Sequence, residues 1–209
     1  EDVARGTTAF HFDKPPGFTF RPGQAIDLIL ADPALPGPEG ARHTFSIVNA
    51  PHQGEVVVAT RMRDSAFKNA LSRLRVGEQA QIDGPFGSMT LHTKAGRAAV
   101  FIAGGIGITP FMSMLRHATH DNLPQQLVLL YSNRRPEDSA FLAELQRMEG
   151  EHPNFRLVAT MTQLGESHAP WTSRTGARMS AAWRSGEPSA TCGPLPTSLF
   201  TSSRIVKLA

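Results

Sequence analysis

The chain has 209 residues, 40% hydrophobic and 19% charged, a composition that suits a folded globular protein with one large core or two small ones. A net charge of +3, with Lys and Arg scattered among acids, indicates neither a nucleic acid nor a membrane surface as partner. The single cysteine, Cys192, excludes an intramolecular disulfide and a cysteine-ligated iron–sulfur cluster within this chain.

Residues 1–95 read as β-structure. Short β-forming runs at 9–12, 25–30, 45–48, 55–59 and 79–82 are separated by turn material at 14–17 and 33–40. One helix is expected over 65–74, with Phe67, Leu71 and Leu74 on one face and Asp64 as its cap. Such spacing predicts a small antiparallel barrel or sandwich. Phe20-Arg21-Pro22-Gly23-Gln24 and Gly84-Pro85-Phe86-Gly87 both read as turns.

From about residue 96 the pattern becomes α/β. Residues 98–115, AAVFIAGGIGITPFMSML, run from an apolar β-forming segment through Gly104, Gly105 and Gly107 into helical spacing at Phe111, Met114 and Leu115. The run is uncharged and long enough to raise a membrane span, but three glycines followed by Thr-Pro argue against a lipid-spanning helix. Strand, glycine turn and helix is the economical reading, with Thr109 as N-cap and Pro110 in the first turn. Glycines let a ligand approach the backbone, and helix-start N–H groups face an anion, so a nucleotide diphosphate is the expected ligand. A βα unit serving packing alone is the alternative, since GGIG is not the G-x-G-x-x-G fingerprint. Strands follow at 126–131 and 155–161, with a helix at 137–148 behind Pro136. This alternation predicts a parallel sheet with helices on its faces. Residues 165–204 are poor in apolar runs.

Four landmarks in order carry a resemblance: Phe20-Arg21-Pro22-Gly23-Gln24, His43-Thr44-Phe45-Ser46, Gly84-Pro85-Phe86-Gly87-Ser88, and Gly104-Gly105-Ile106-Gly107-Ile108-Thr109-Pro110. Together they resemble the ferredoxin–NADP reductase-like superfamily of flavoprotein oxidoreductases over roughly residues 5–165. The resemblance implies a two-domain fold: an antiparallel Greek-key β-barrel for flavin over 1–95, then an α/β parallel-sheet NAD(P)-binding domain over 96–209. The C-terminal part of that second domain reads as degenerate or truncated, because the family's late Cys-Gly-Pro turn follows an apolar strand whereas Cys192-Gly193-Pro194 follows Glu187-Pro188-Ser189-Ala190-Thr191.

By the same resemblance Phe45 stacks on the isoalloxazine and Ser46 hydrogen-bonds flavin N5. The motif's usual Arg is replaced by His43, with Arg42 one residue earlier and Thr44 between the pair and the ring. Arg61 and Arg63, beside the helix start Ser65-Ala66-Phe67, are alternative phosphate partners. Gly105, Gly107 and Thr109 would face the nicotinamide nucleotide, Cys192 the nicotinamide ring, and Arg134 and Arg135 an adenosine 2′-phosphate, which favours NADPH over NADH. The implied activity is an FAD-dependent NAD(P)H oxidoreductase, FMN being the other flavin. Hydride passes from nicotinamide to flavin N5, and electrons go on to a separate acceptor such as a ferredoxin or an oxygenase component. The alternative is a flavin-binding electron-transfer or regulatory module with impaired nicotinamide binding. A hydrolase or transferase is disfavoured because no nucleophile elbow or Walker pattern is present. No metal site is expected: among His11, His52, His92, His117 and His120 only His117 and His120 come near a ligand spacing, at a helix end where surface His is common. The start without Met reads as processed or trimmed, with no signal peptide, and the expected location is cytoplasmic.

Overall fold

The computed structural model describes residues 1–94, 96–167 and 204–208. In chain order the strands are β1 Asp2–Ala4, β2 Thr7–Asp13, β3 Ala25–Ile29, β4 Arg42–Ser46, β5 Glu55–Arg61, β6 Gln79–Phe86, β7 Ala99–Gly104, β8 Leu127–Asn133, β9 Phe155–Met161 and β10 Arg204–Lys207. The helices are α1 Gly37–Gly40, α2 Ala66–Arg73, α3 Thr109–His120 and α4 Leu142–Glu151.

The first half is an antiparallel barrel of two sheets, β1-β2-β5 and β10-β6-β3-β4. The Val48 N–H donates to the Val57 carbonyl on one side, and a bridge joins Phe12 to Leu208 on the other. Those two seams close the sheets around Phe12, Ile26, Leu28, Ile47, Val58, Phe67, Leu71 and Ile82. The expected division at about residue 96 put the chain end in the second half; β10 instead returns to the barrel and pairs with β6, Val206 opposite Ala80.

Several local expectations change for visible reasons. β6 runs on through Phe86 where a turn was expected. Its register against β3 steps from Ala25↔Phe86 to Asp27↔Asp83, one extra residue on β6, so Gly84 and Pro85 lie at a bulge, where Pro is tolerated within a sheet. Ser65, not Asp64, caps α2: its Oγ accepts the Lys68 N–H at 3.3 Å, while Asp64 accepts from Asn69 Nδ2 at 2.9 Å. The helix expected from 137 begins at Leu142, because Pro136–Asp138 form a 3₁₀ turn closed by Arg135 on Asp138 (2.7 Å) and Phe141 sits at φ 60°.

The second half is a parallel sheet in the order β7-β8-β9, with α3 and α4 in the crossovers. Ala99, Phe101 and Ala103 of β7 pack against these helices, whereas Val100 (51% exposed) and Ile102 (72%) face away. Among the described residues only one face of the sheet is covered, where helices on both were expected. The apolar residues 98–115 are split among strand, turn and helix, and no described helix is long and apolar enough to cross a membrane.

One apolar core runs through both halves. Ala9, Val48, Val57 and Ala59 of the barrel join Met112, Met114 and Leu115 of α3 and Leu129, Leu145 and Leu157 of the α/β half. Buried Asn49 sits at the junction. Its Oδ1 accepts the Val57 N–H (2.7 Å), its Nδ2 donates to the Glu55 carbonyl (2.6 Å), and its own carbonyl accepts Ser113 Oγ of α3 (2.7 Å). Arg116, one turn on, donates to the Val48 carbonyl (3.3 Å) and forks onto Glu144 of α4 with two bonds of 2.8 Å. Gly23 of the Arg-Pro-Gly-Gln segment lies against the same helix at φ 95°; a Cβ there would collide with Met114 Cε and the Met89 carbonyl. That glycine is needed for close approach as well as for its backbone conformation.

Asn49→Ala removes the side-chain bonds to Val57 and Glu55 while leaving their partners buried, and is expected to lower unfolding free energy by about 2–4 kcal/mol in denaturant titrations. A pH effect follows from His152, which is 3% exposed and whose pKa burial lowers from 6.5. The unfolded chain takes up a proton there at a higher pH than the native chain, so this residue's contribution to stability falls as pH drops below about 6.5. His152→Gln is expected to flatten the fall in melting temperature between about pH 7 and 5.

Candidate functional site

Sequence alternation and topology bring one strand end of the barrel against three strand ends of the parallel sheet. Arg61 at the end of β5, Gly105 after β7, Ser132, Asn133 and Arg134 at the end of β8, Asp138 and Thr162 line one cleft of about 250 Å³. In an open α/β sheet, this carboxyl end of the strands is where a ligand binds.

Gly105 holds φ 52°, and a Cβ at Gly105 or Gly107 would meet nothing within 4 Å, so the turn presents bare backbone to open space. A 3₁₀ turn, Gly105–Ile108, separates the strand from α3. Thr109 is consequently the first residue of α3 rather than its N-cap, and its hydroxyl donates back to the Ile106 carbonyl at 3.2 Å. Below the turn, the buried Tyr131 hydroxyl lies 3.2 Å from the Gly105 carbonyl and 3.1 Å from that of Ala140. Burial pushes its pKa up to about 12, so it remains a donor.

Asn133 is 7% exposed, and its side chain lies beside the Tyr131 hydroxyl, where it opposes the upward push of burial on that group. The same residue lines the cleft. Arg61 and Arg134 line it too, and neither guanidinium has an ion-pair partner among the described residues. Arg135, expected beside Arg134, is occupied: its Nε and Nη2 lie 2.7 and 3.0 Å from Asp138. That contact first, with the charge of Arg61 adding, holds the Asp138 carboxyl below its usual range.

On the barrel side, β4 sorts the predicted residues by alternation. Arg42, Thr44 and Ser46 stand opposite Ile29, Asp27 and Ala25 of β3; His43 and Phe45 stand opposite Leu28 and Ile26. Arg42 is committed to Asp27 (2.8 Å) and to buried Asp83 (2.6 Å), two carboxylates that face each other across β3 and β6. It offsets a like-charge pair there, which takes it away from phosphate binding. Thr44 Oγ1 also donates to Asp27. The Phe45 ring, expected to stack on the isoalloxazine, is 9% exposed and packs in the barrel core, 6.0 Å from the Phe67 ring. His43 is the exposed ring of this cluster, 4.8 Å from Phe67. The Ser46 hydroxyl is half-buried on the opposite side of the strand from Phe45.

At the start of α2, Ser65 and Ala66 are exposed and Phe67 is buried. Lys68 Nζ donates to the Arg61 carbonyl at 2.7 Å, and its pKa is lowered, first by burial and then by Arg63. Arg61, Arg63 and Lys68 thus gather at a helix N-terminus with no carboxylate in ion-pair contact among the described residues. Cys192 lies outside the described residues. Sequence reading put the strand end at 131–135 beside a nucleotide site but gave Asn133 no binding role and missed Asp138, Thr162 and the role of Tyr131.

Comparison with known proteins adds three findings. Residues 101–194 match the family model for the oxidoreductase NAD-binding domain. The chain is 30% identical over 173 residues to the glycine betaine monooxygenase reductase subunit of Chromohalobacter salexigens, spanning 81% of this chain and 46% of that protein. It is also 30% identical over 161 residues to ferredoxin–NADP reductase B of Sorangium cellulosum, 76% of this chain and 63% of that protein. Among solved structures, phthalate dioxygenase reductase, described as modular for electron transfer from pyridine nucleotides to [2Fe-2S], superposes with a TM-score of 0.62 at 26% identity, covering 80% of this chain and 51% of that one. The chain therefore spans about half the length of the first of these relatives.

Tyr131→Phe removes the hydroxyl that holds the glycine turn and is expected to cost about 1 kcal/mol of stability. Hydrogen exchange at the amides of residues 105–108 should quicken in the variant while β9 keeps its protection.

Proposed function

We propose that this chain, which is similar to the ferredoxin–NADP reductase-like superfamily, is the flavin- and nicotinamide-binding core of an NAD(P)H oxidoreductase. It takes hydride from the reduced nicotinamide and sends electrons to a separate iron–sulfur or oxygenase acceptor. The barrel half, residues 1–95 with β10, holds the flavin, FAD in preference to FMN, and the α/β half binds NAD(P)H. One observation carries the reading: the cleft joins two guanidinium groups outside any close ion pair among the described residues, Arg61 and Arg134, to the buried Asn133 amide above a glycine turn. Those are the groups that hold a nucleotide's phosphates and a carbonyl or hydroxyl acceptor.

The residues fit both groups. Arg63, Lys68 and the exposed residues Ser65 and Ala66 at the helix start suit the flavin phosphates, with Arg61 shared between this cluster and the cleft, and His43 offers the exposed ring beside them. Arg42 is left out of that set because Asp27 and Asp83 hold it. Ser46 is the hydroxyl for flavin N5, and Gly105, Gly107 and Thr109 face the nicotinamide nucleotide. Arg134 rather than Arg135 is the partner for a 2′-phosphate, since Arg135 is closed onto Asp138. Flavin and nicotinamide together supply the two-electron chemistry; the chain's part is to bind, orient and exclude water. Cys192 as a residue beside the nicotinamide remains part of the proposal.

Purified protein incubated with FAD should turn yellow, and anaerobic NADPH should bleach it rapidly. Arg134→Ala is expected to raise the KM for NADPH about tenfold with kcat little changed, and to affect NADH less. A protein that stays colourless with FAD and with FMN contradicts the flavin assignment. A yellow protein that neither nucleotide reduces contradicts the oxidoreductase and favours a flavin-binding electron-transfer module.

A further inference from the structure

At the opposite end of α3 from the glycine turn, side chains from the two halves of the molecule converge. His52 stands on the turn between β4 and β5; His117 and Asp121 lie one helical turn apart at the end of α3. Residues four apart on a helix share a face, the spacing at which two side chains can hold one ion. One donor atom from each of His52, His117 and Asp121 lies within 4.8 Å of the other two.

We propose that His52, His117 and Asp121 form a divalent transition-metal site of the zinc class that joins the barrel to the carboxyl end of α3. The spacing supports it. His117 Nδ1 and Asp121 Oδ2 are 3.3 Å apart. Two ligands of a tetrahedral zinc with bonds near 2.1 Å stand about 3.4 Å apart, so this pair already spans the ion. His52, exposed on its turn, completes a two-imidazole, one-carboxylate set. Solvent takes the fourth position. Nitrogen-rich ligation selects zinc, cobalt or nickel over calcium or magnesium, which take oxygen.

His120 supports the set without being required as a ligand. Its Nδ1 lies 2.6 Å from Asp121 Oδ1, holding the carboxylate so that Oδ2 points to His117. Its ring stacks on that of His52 at 3.6 Å between centroids. A partner that orients a ligating carboxylate is the usual companion of a metal ligand. The turn carrying His52 is itself held, by Lys14 Nζ on the Pro51 carbonyl (2.6 Å) and by the Ala50 N–H on Gln53 Oε1 (2.7 Å). With twelve residues in α3, its two ends are separated by roughly 16–18 Å. The ion therefore touches no reacting group; it clamps the helix to the barrel beyond Ser113 and Arg116.

The test uses untagged, chelator-treated protein, titrated calorimetrically with Zn²⁺ and followed by visible absorption with Co²⁺. The expected result is one ion per chain, tetrahedral cobalt bands, and a melting temperature that rises with Zn²⁺. His52→Gln and His117→Gln should each weaken binding at least about tenfold, while His92→Gln, outside the cluster, binds like the parent. The same melting temperature for parent and variants in chelator shows that each remains folded. Absence of saturable binding, or unchanged binding in His52→Gln, overturns the proposal.

Discussion

Asn49 decides where α3 lies, and most of the candidate site depends on that helix. With no exposed surface, its side chain must satisfy its polar atoms within the protein, and it does so on Val57 and Glu55 of β5. The Asn49 carbonyl then takes the Ser113 hydroxyl, and Arg116 secures the neighbouring Val48 carbonyl while forking onto Glu144. A helix held along its middle has both ends placed. The amino end sets the glycine turn against Arg61, and the carboxyl end sets His117 and Asp121 against His52. The shared apolar core, from Val57 and Ala59 to Met112 and Leu115, gives this arrangement its rigidity.

Two cationic surfaces result, and they differ in what they leave unpaired. The start of α2 gathers Arg63 and Lys68, whose ammonium is already partly desolvated and crowded by Arg63. The cleft holds Arg134 and the buried Asn133 amide, and Arg61 lies between the two. Other arginines near these surfaces have been neutralised locally. Arg42 offsets Asp27 and Asp83, and Arg135 closes the 3₁₀ turn on Asp138. Separating committed from uncommitted guanidinium groups narrows the ligand contacts to a few residues, an assignment that composition and net charge cannot make.

Much of the fold was legible because it rests on local periodicity. The strand at 155–161 coincides with β9, and the glycine break at 104–107 does separate a strand from a helix. What was missed depends on distant partners. β1 and β10 are three and four residues long, too short for alternation to register, and β10 exists only because β6 offers it an edge. The helix at 137 yielded to Arg135 and Asp138, whose three-residue spacing closes a turn as readily as it supports a helix. In the site, Phe45 reads as an aromatic platform in a motif, but burial against Phe67 is a tertiary fact. His52 and His117 are 65 positions apart, and only the contact of the β4–β5 turn with α3 makes a cluster of them.

The central claim is that the cleft between β5 and the ends of β7 and β8 is a dinucleotide site. A crystal structure of the flavin-loaded protein with NADP⁺ tests it most directly. The account predicts nucleotide phosphates within hydrogen-bond distance of Arg61 and Arg134, with Asn133 Nδ2 donating to the ligand. A dinucleotide ordered elsewhere on the molecule, with no ligand atom within reach of Arg61, Arg134 or Asn133, would contradict it.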